Sequence, residues 1–124
     1  MMILDSNILI NASLPDYKFL RGLIKKESPK VSAITKVEVL GYHKLSSKAE
    51  GYLNAFFEAA LILPISTTII NTAVKLRQQR KMTLGDALIA ATALEHQLTL
   101  LTRNVSDFEH ISDLTIIDPF ETLP

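Results

Sequence analysis

Short runs of apolar residues alternate along the chain with longer stretches in which apolar residues recur every three or four positions. The short runs, rich in Ile, Leu and Val, predict five β-strands: residues 1–4, 30–34, 61–65, 98–101 and 114–118. The longer stretches predict five helices: residues 16–27, 35–45, 46–61, 67–81 and 83–96. The last stretch is the most apolar, so we expect its helix to be the most buried.

Strands that alternate with helices indicate a mostly parallel sheet covered by helices on both faces. We therefore predict a three-layer α/β/α fold with a central sheet of about five strands. The 124 residues contain no repeat, linker or low-complexity segment, and this length suits one domain over residues 1–124. Ligands of such sheets bind outside the carboxyl ends of the strands, so we expect the chemistry at that edge.

Composition narrows the possible function classes. Hydrophobic residues make up 48% and charged residues 21% of the chain, which indicates a folded domain rather than a disordered one. Basic and acidic residues balance at 13 each, so binding of a polyanion would need local basic clusters or metal ions. The chain has no cysteine, which excludes a disulfide scaffold, a thiol nucleophile and a zinc site built from cysteines.

The amino terminus and the apolar runs bear on the location of the protein. An acid follows Leu4 and no basic segment precedes it, so we expect no secretory signal peptide. The longest apolar stretches are interrupted well before the roughly 20 residues that a membrane span requires. Together with the absence of cysteine, these features favour a cytoplasmic protein that makes no membrane contact.

Four acidic residues occupy positions close to where predicted strands end. Asp5 directly follows the first strand, and Glu38 and Asp107 lie shortly beyond the second and the fourth. Asp86 lies in the first turn of the most apolar helix and reaches the same edge if that helix begins there. If the first, second and fourth strands are parallel neighbours, one edge of the sheet gathers all four carboxylates.

Helix capping is the alternative interpretation of these acids. Thr35 and Glu38 have the spacing of a capping box, and Thr83 and Asp86 have its looser form with aspartate. Asp5 would cap a helix that follows it. Taken singly, capping is favoured for Glu38 and is evenly balanced against a functional role for Asp86.

Gathered carboxylates need a partner, because acids within about 4–6 Å of each other disfavour the ionised form. A set of oxygen ligands without Cys or suitably spaced His favours Mg²⁺ or Mn²⁺ over zinc. Such ions bind the non-bridging oxygens of a phosphodiester, activate a water molecule and stabilise the leaving oxygen. The acids therefore predict phosphodiester hydrolysis without a serine or histidine nucleophile.

Four motifs in order, over essentially the whole chain, resemble one known family. They read "ILDSN" (3–7), "AITKVEVLGY" (33–42), "GDALIAATALEH" (85–96) and "LLTRNVSDF" (100–108). The sequence is similar to PIN domains, and within them to the VapC-type toxins of bacterial and archaeal toxin–antitoxin pairs. The resemblance implies a Mg²⁺- or Mn²⁺-dependent endoribonuclease with a parallel-sheet α/β/α fold. It also implies a homodimer that a cognate VapB-type antitoxin holds inactive, with DNA contacted only through the antitoxin.

Carried over by position, the catalytic acids of the family fall on Asp5, Glu38, Asp86 and Asp107. The first, third and fourth of these are the expected metal ligands. The polar residues that accompany the acids in the motifs are Asn7, Thr102 and Asn104. Arg103, between the last two, is a candidate contact for a substrate phosphate or a site carboxylate.

Two further features are open to interpretation. The segment "KLRQQRK" (75–81) concentrates four cations, which favours a cationic helix end stabilised by the helix dipole. A phosphate-steering patch is the alternative, because the segment lies just before Asp86. Gln97 stands where relatives often carry glycine after the apolar helix, and glycine suits a left-handed residue at a helix end.

Other function classes fit parts of the pattern. A phospho-acceptor signalling domain of response-regulator type shares the length, the alternation and the early acid, but needs an aspartate after its third strand. This chain reads "LPISTT" (63–68) at that place. A haloacid-dehalogenase-like phosphatase would need a second aspartate where Asn7 stands. The remaining alternative is a non-catalytic interaction module whose acids only cap helices.

Overall fold

Five short parallel strands form the centre of the computed structural model, which describes residues 1–122. The strands are β1 (Met2–Leu4), β2 (Val31–Ser32), β3 (Ile62–Leu63), β4 (Thr99–Leu101) and β5 (Ile116–Ile117). β4 pairs with both β1 and β5, and β2 pairs with β3, each in parallel. A parallel bridge between Ile3 and Lys30 joins the two groups, so the order across the sheet is β3-β2-β1-β4-β5. The predicted parallel sheet is confirmed.

Helices connect and follow the strands. They are α1 (Ser6–Ala12), α2 (Lys18–Glu27), α3 (Ala33–Leu40), α4 (Ser47–Ala59), α5 (Thr67–Gln79), α6 (Leu84–His96) and α7 (Pro119–Thr122). Short 3-10 turns precede α2 (15–17) and follow β4 (105–107). In α3, α4, α5 and α6, a serine or threonine hydroxyl at the N-cap accepts a hydrogen bond from a first-turn N–H group. These caps satisfy donors that have no partner inside the helix.

The hydrophobic pattern placed five helices correctly and missed two. The missed helices, α1 and α7, have 7 and 4 residues, which is too short for a helical period to stand out from the strands beside them. The helix predicted over 35–45 begins at Ala33 and ends at Leu40. It starts earlier because Ser32 supplies the cap, and the strand predicted over 30–34 is correspondingly shorter.

Side chains that alternate along the strands build a core on each face of the sheet. Ile3 and Leu100 pack with α5 and α6 on one face, and Leu4 and Leu101 pack with α1, α2, α3 and α4 on the other. These four side chains are almost completely buried. The predicted three layers, helices–sheet–helices, are therefore confirmed. The predicted domain spans residues 1–124, of which residues 123 and 124 lie outside the described part.

The helix predicted to be the most buried is α6. Every residue from Ala87 to Ala93 is buried, so the helix shows little difference between its faces. Four of these residues are alanines, whose small side chains let the sheet and α5 approach the helix axis closely. Within residues 1–122, no helix is long and apolar enough to span a membrane.

α6 ends at a left-handed residue that is not glycine. Gln97 has φ 54° and ψ 47°, a conformation that costs a residue with a Cβ about 1–2 kcal/mol. We expect Gln97→Gly to raise the free energy of unfolding by about 0.5–1 kcal/mol. Glycine relieves the strain in the folded state, and this gain exceeds the loss that comes from its greater conformational entropy in the unfolded state. Urea denaturation measures the change.

The matched control for this substitution is Ala55→Gly, on the exposed surface of α4. It introduces the same residue at a right-handed helical position and is expected to destabilise by about 1 kcal/mol. A destabilised Gln97→Gly protein would show that the Gln97 side chain, and not its backbone strain, decides the stability of this helix end.

Candidate active site

Four acids, Asp5, Glu38, Asp86 and Asp107, lie at the edge of the sheet where β1, β2 and β4 end; we call them the acid cluster. Asp5 directly follows β1, Glu38 lies in the helix that follows β2, and Asp107 ends the 3-10 turn after β4. Asp86 lies in the first turn of α6, which runs back to the start of β4 and so begins at the same edge. The topology thus brings the four predicted acids to one place.

Hydrogen bonds fix Asp5 at the end of its strand. Its N–H donates to the carbonyl oxygen of Leu101 at 2.9 Å, which continues the pairing of β1 with β4. Its Oδ2 accepts from the Thr102 hydroxyl at 2.7 Å, and its Oδ1 accepts from the Ser6 N–H at 2.8 Å. Asp5 is only 6% exposed, so its carboxylate is held in one orientation before any ligand arrives.

Burial and mutual repulsion raise the pKa of three carboxyl groups. Burial raises the pKa of Asp5 most, the Thr102 hydrogen bond opposes the rise, and the Asp107 charge adds to it. Burial also raises the pKa of Glu38, followed by the charges of Asp5 and Asp86. The pKa of Asp86 is raised by burial, by the charge of Asp5 and by that of Asp107. Every acid of the cluster therefore repels at least one other.

Gly85 lets the Glu38 carboxylate lie against the first turn of α6. A Cβ atom built on Gly85 would collide with that carboxylate, and would lie 3.1 Å from its Cδ. The φ of Gly85 is not positive, so the position requires space and not an unusual backbone conformation. Because Gly85 has no side chain, the Glu38 carboxylate of α3 can lie against the turn of α6 that carries Asp86.

Capping explains some of these positions and not others. Asp5 is the N-cap of α1, as the capping interpretation predicts. The capping box predicted around Glu38 is wrong, because α3 begins earlier and Ser32 caps it. At α6 the Thr83 hydroxyl accepts from the Asp86 N–H at 3.1 Å, so the cap itself is a threonine.

The accessory polar residues differ in how they are engaged. Thr102 is fully buried, donates to Asp5 and accepts from the Asn104 N–H at 3.0 Å, so it links the ends of two strands. The Oδ1 of Asn7 is buried and has no hydrogen-bond partner among residues 1–122. A buried oxygen without a partner is an available ligand for a cation or an ordered water.

Arg103 stacks on the ring of Phe120 in α7 and lies near the ring of Tyr17, which precedes α2. Its guanidinium carbon lies 3.8 Å from the ring centre of Phe120 and 5.8 Å from that of Tyr17. This cation–π arrangement occupies the face of the guanidinium. The alternative that Arg103 pairs with a site carboxylate is wrong for the part of the chain that the structure describes. Its contact with a substrate phosphate stays a prediction.

Sequence reasoning missed two residues and one cavity at this site. Ser6, within the motif "ILDSN", lies near the Glu38 carboxylate and opposes part of the rise in the pKa of Glu38. Gly85 was not identified, because nothing in the sequence shows which side chain would occupy its space. The cavity is a cleft of about 400 Å³ lined partly by Asp86 and Asp107.

The donor set fits a hard divalent cation. It consists of carboxylate oxygens, and Mg²⁺ and Mn²⁺ prefer oxygen ligands. Two residues after Asp5, the buried amide oxygen of Asn7 has no partner of its own within residues 1–122. Among the described residues, no group of three or more acidic or histidine side chains is already arranged to hold a metal ion. Mg²⁺ usually takes one or two carboxylates and keeps several waters, so some of these acids would act through water.

A parallel α/β/α sheet with acids gathered at its strand ends is an arrangement that can serve metal-assisted hydrolysis of phosphodiesters. The chain belongs to the PIN domain family, whose model matches residues 2–114. PIN domains are nucleases, and this membership supports hydrolytic nuclease activity. The predicted family is confirmed.

Solved structures similar to this chain are toxin–antitoxin complexes. A toxin–antitoxin complex from Klebsiella pneumoniae matches with 31% identity and a TM-score of 0.78, covering 96% of this chain and 98% of that chain. VapBC-1 from nontypeable Haemophilus influenzae matches with 26% identity and a TM-score of 0.73, covering 94% and 96%. FitAcB from Neisseria gonorrhoeae matches with 25% identity and a TM-score of 0.75, covering 97% and 99%. The comparison with curated proteins gave no match.

Proposed function

We propose that this chain is a Mg²⁺- or Mn²⁺-dependent endoribonuclease and the toxin of a type II toxin–antitoxin pair. The observation that carries the proposal is the acid cluster at the strand ends of a PIN domain, where burial and the neighbouring acids raise the pKa of Asp5, Glu38 and Asp86. Acids that repel each other in a half-buried site are poised to bind a cation. A response-regulator domain would instead need an acceptor aspartate after β3, where the chain continues with Pro64.

The four acids divide between two roles in the proposed reaction. Asp5, Asp86 and Asp107 would hold the cation, which would supply charge neutralisation of the phosphate and activation of water. Thr102 keeps the Asp5 carboxylate oriented through its 2.7 Å hydrogen bond. Glu38 is less buried than Asp5, and its raised pKa makes it a better proton acceptor for the attacking water.

Cleavage of total RNA by the purified chain, freed of any antitoxin, tests the proposal. We expect cleavage with Mg²⁺ or Mn²⁺, loss of cleavage with EDTA, and recovery when the metal is restored. Mapping the cut ends identifies the site. An antitoxin-free protein that leaves RNA intact with both metals would overturn the assignment.

Two protein partners belong to the same proposal. The solved relatives are toxin–antitoxin complexes, which supports a VapB-type antitoxin that inhibits this chain and mediates any contact with DNA. Ile70, Val74 and Leu84 are 47%, 49% and 58% exposed around a shallow apolar pocket between α5 and α6, which supports a homodimer through that face. Light scattering that gives a monomeric mass at micromolar concentration would contradict the dimer. We propose a cytoplasmic location, where RNA and an antitoxin would both be present.

The acid cluster also predicts how the stability of the metal-free protein depends on pH. The folded protein binds protons at Asp5, Glu38 and Asp86 more tightly than the unfolded chain, because their pKa values are raised. Stability from these groups therefore falls as pH rises from about 4 through the raised pKa values. In EDTA we expect Asp86→Asn to melt above the wild type at neutral pH, with a difference that shrinks toward pH 4. Thermal melting over a pH series measures this.

Glu58→Gln, at an exposed position of α4, is the control for the melting series and is expected to follow the wild type. Adding Mg²⁺ is expected to raise the melting temperature of the wild type more than that of Asp86→Asn. If Asp86→Asn is instead less stable by about 0.5–2 kcal/mol at every pH, the aspartate acts as a helix cap and not in a metal site.

A further inference from the structure

A cleft of about 400 Å³ joins the acid cluster to two cations. Asp86, Asp107 and Ser106 line it together with Arg80 and Lys81, and we call it the charged cleft. Its volume is within the range of small-molecule binding sites, which suits one or two nucleotides of a single strand and not a duplex. The site of the proposed chemistry and a place for phosphate groups are therefore continuous.

The segment that carries the two cations is fixed by contacts on both sides. It runs from the end of α5 to the N-cap of α6, and its Met82 side chain is 8% exposed. The Nε of Arg77 donates to the carbonyl oxygen of Met82 at 3.2 Å, and the N–H of Arg80 donates to the carbonyl oxygen of Leu76 at 3.3 Å. The backbone under Arg80 and Lys81 is thus held in place while both side chains remain exposed.

Arg80 and Lys81 are not occupied by other groups of the fold. Within residues 1–122, neither side chain makes a hydrogen bond or an ion pair, whereas Arg77 is bound to Met82. Neither cation is among the groups that act on the pKa of Asp86. Of the four cations in 75–81, Arg77 thus fixes the backbone, and Arg80 and Lys81 line the cleft.

We propose that Arg80 and Lys81 bind phosphate groups of a single RNA strand next to the bond that the acid cluster cleaves. The inference rests on the proposed function and names how its substrate is held. A polyanion approaching four carboxylates meets repulsion, and cations in the same cleft offset it. Proteins that bind single-stranded nucleic acids commonly have a positively charged groove along which the phosphate backbone lies. Because phosphates are common to all sequences, these two residues set affinity and not sequence preference.

Binding of a labelled single-stranded RNA of about twelve nucleotides tests the inference. The protein carries Asp5→Asn to prevent cleavage, Mg²⁺ is present, and anisotropy is measured between about 50 and 200 mM salt. Adding Arg80→Gln and Lys81→Gln is expected to weaken binding and to reduce the slope of log affinity against log salt by about 1.4. Each phosphate contact of a single strand contributes about 0.7 to that slope. A duplex of the same sequence is expected to bind more weakly.

Lys25→Gln with Lys26→Gln is the matched control, because it removes the same charge at the exposed end of α2. α2 leads into β2, so its end lies at the opposite edge of the sheet, and the salt slope is expected to stay that of the parent protein. The single substitution Lys81→Gln is expected to reduce the slope by about 0.7, and it serves if the double variant does not fold. An unchanged slope in the Arg80 and Lys81 variants, or an equal change in the control, would overturn the inference.

The outcomes separate this inference from the nuclease proposal. If the wild type does not cleave RNA but its salt slope depends on Arg80 and Lys81, the nuclease assignment fails and the binding site stands. If RNA is cleaved with Mg²⁺ and the double variant keeps the wild-type slope and KM, the nuclease stands and the binding site fails. Duplex binding as tight as that of the single strand would contradict the single-stranded assignment.

Discussion

Asp86→Asn is expected to lower metal-dependent RNA cleavage by about 10²–10³-fold while the protein stays folded. The substitution keeps the shape of the side chain and removes the charge that a metal ligand needs. Metal ions contribute several kcal/mol to the stabilisation of charge in a transition state, and each ~1.4 kcal/mol is a tenfold change in rate. The Thr83 hydroxyl, which caps α6 by accepting from the backbone N–H of residue 86, remains in the variant. Single-turnover cleavage of a defined RNA measures the loss.

Asp5→Asn is expected to cause a similar loss of cleavage, with an added structural effect. The Asp5 carboxylate accepts from both Thr102 and Ser6, and an amide offers only one accepting oxygen for the two donors. Asp16→Asn, at an exposed acid outside the cluster, is the control and is expected to retain wild-type activity. Cleavage at the wild-type rate in both Asp5→Asn and Asp86→Asn would show that the acid cluster is not the active site.

Gly85→Ala is expected to separate activity from stability. The added Cβ would collide with the Glu38 carboxylate, which is the end of a flexible side chain and moves away at little cost in stability. Alanine also favours the helix by about 1 kcal/mol over glycine, so the variant is expected to be at least as stable as the wild type. A misplacement of about 1 Å at a catalytic group lowers rates by about 100-fold. We therefore expect a loss of cleavage of that order.

Gly51→Ala in α4 is the matched control, because a Cβ there meets no atom within 4 Å. It is expected to stabilise the protein by about 1 kcal/mol and to leave cleavage unchanged. Thermal melting and cleavage rates of the two variants are compared side by side. Wild-type activity in Gly85→Ala would mean that the position of Glu38 against α6 is unimportant for the reaction.

The placement of the acids was predictable because it depends on topology. Parallel strands end at one edge of a sheet, so Asp5 after β1 and Asp107 after β4 had to lie near each other once the strands were recognised. The burial of α6 was predictable for a similar reason, since its run from Ala87 to Ala93 has no polar face to expose. Both inferences use the order of residues along the chain and no knowledge of particular contacts.

Features that depend on contacts between distant residues were not predictable. The stacking of Arg103 on Phe120 joins the loop after β4 to α7, and no local pattern reveals it. The space at Gly85 is defined by Glu38, which lies on another helix. The capping box at Glu38 failed because its residue types were right but Ser32, a stronger local cap at the strand end, began the helix earlier.

The outer strands of the sheet restrict how other polypeptides can join this protein. β3 and β5 have 2 residues each, so a strand added at either side finds almost no backbone to pair with. Such short edges protect a sheet against edge-to-edge aggregation. They also leave recognition by any partner to the side chains of the surrounding helices. A partner of this fold therefore has to select it by shape and charge, which makes pairing specific and self-templated fibres unfavourable.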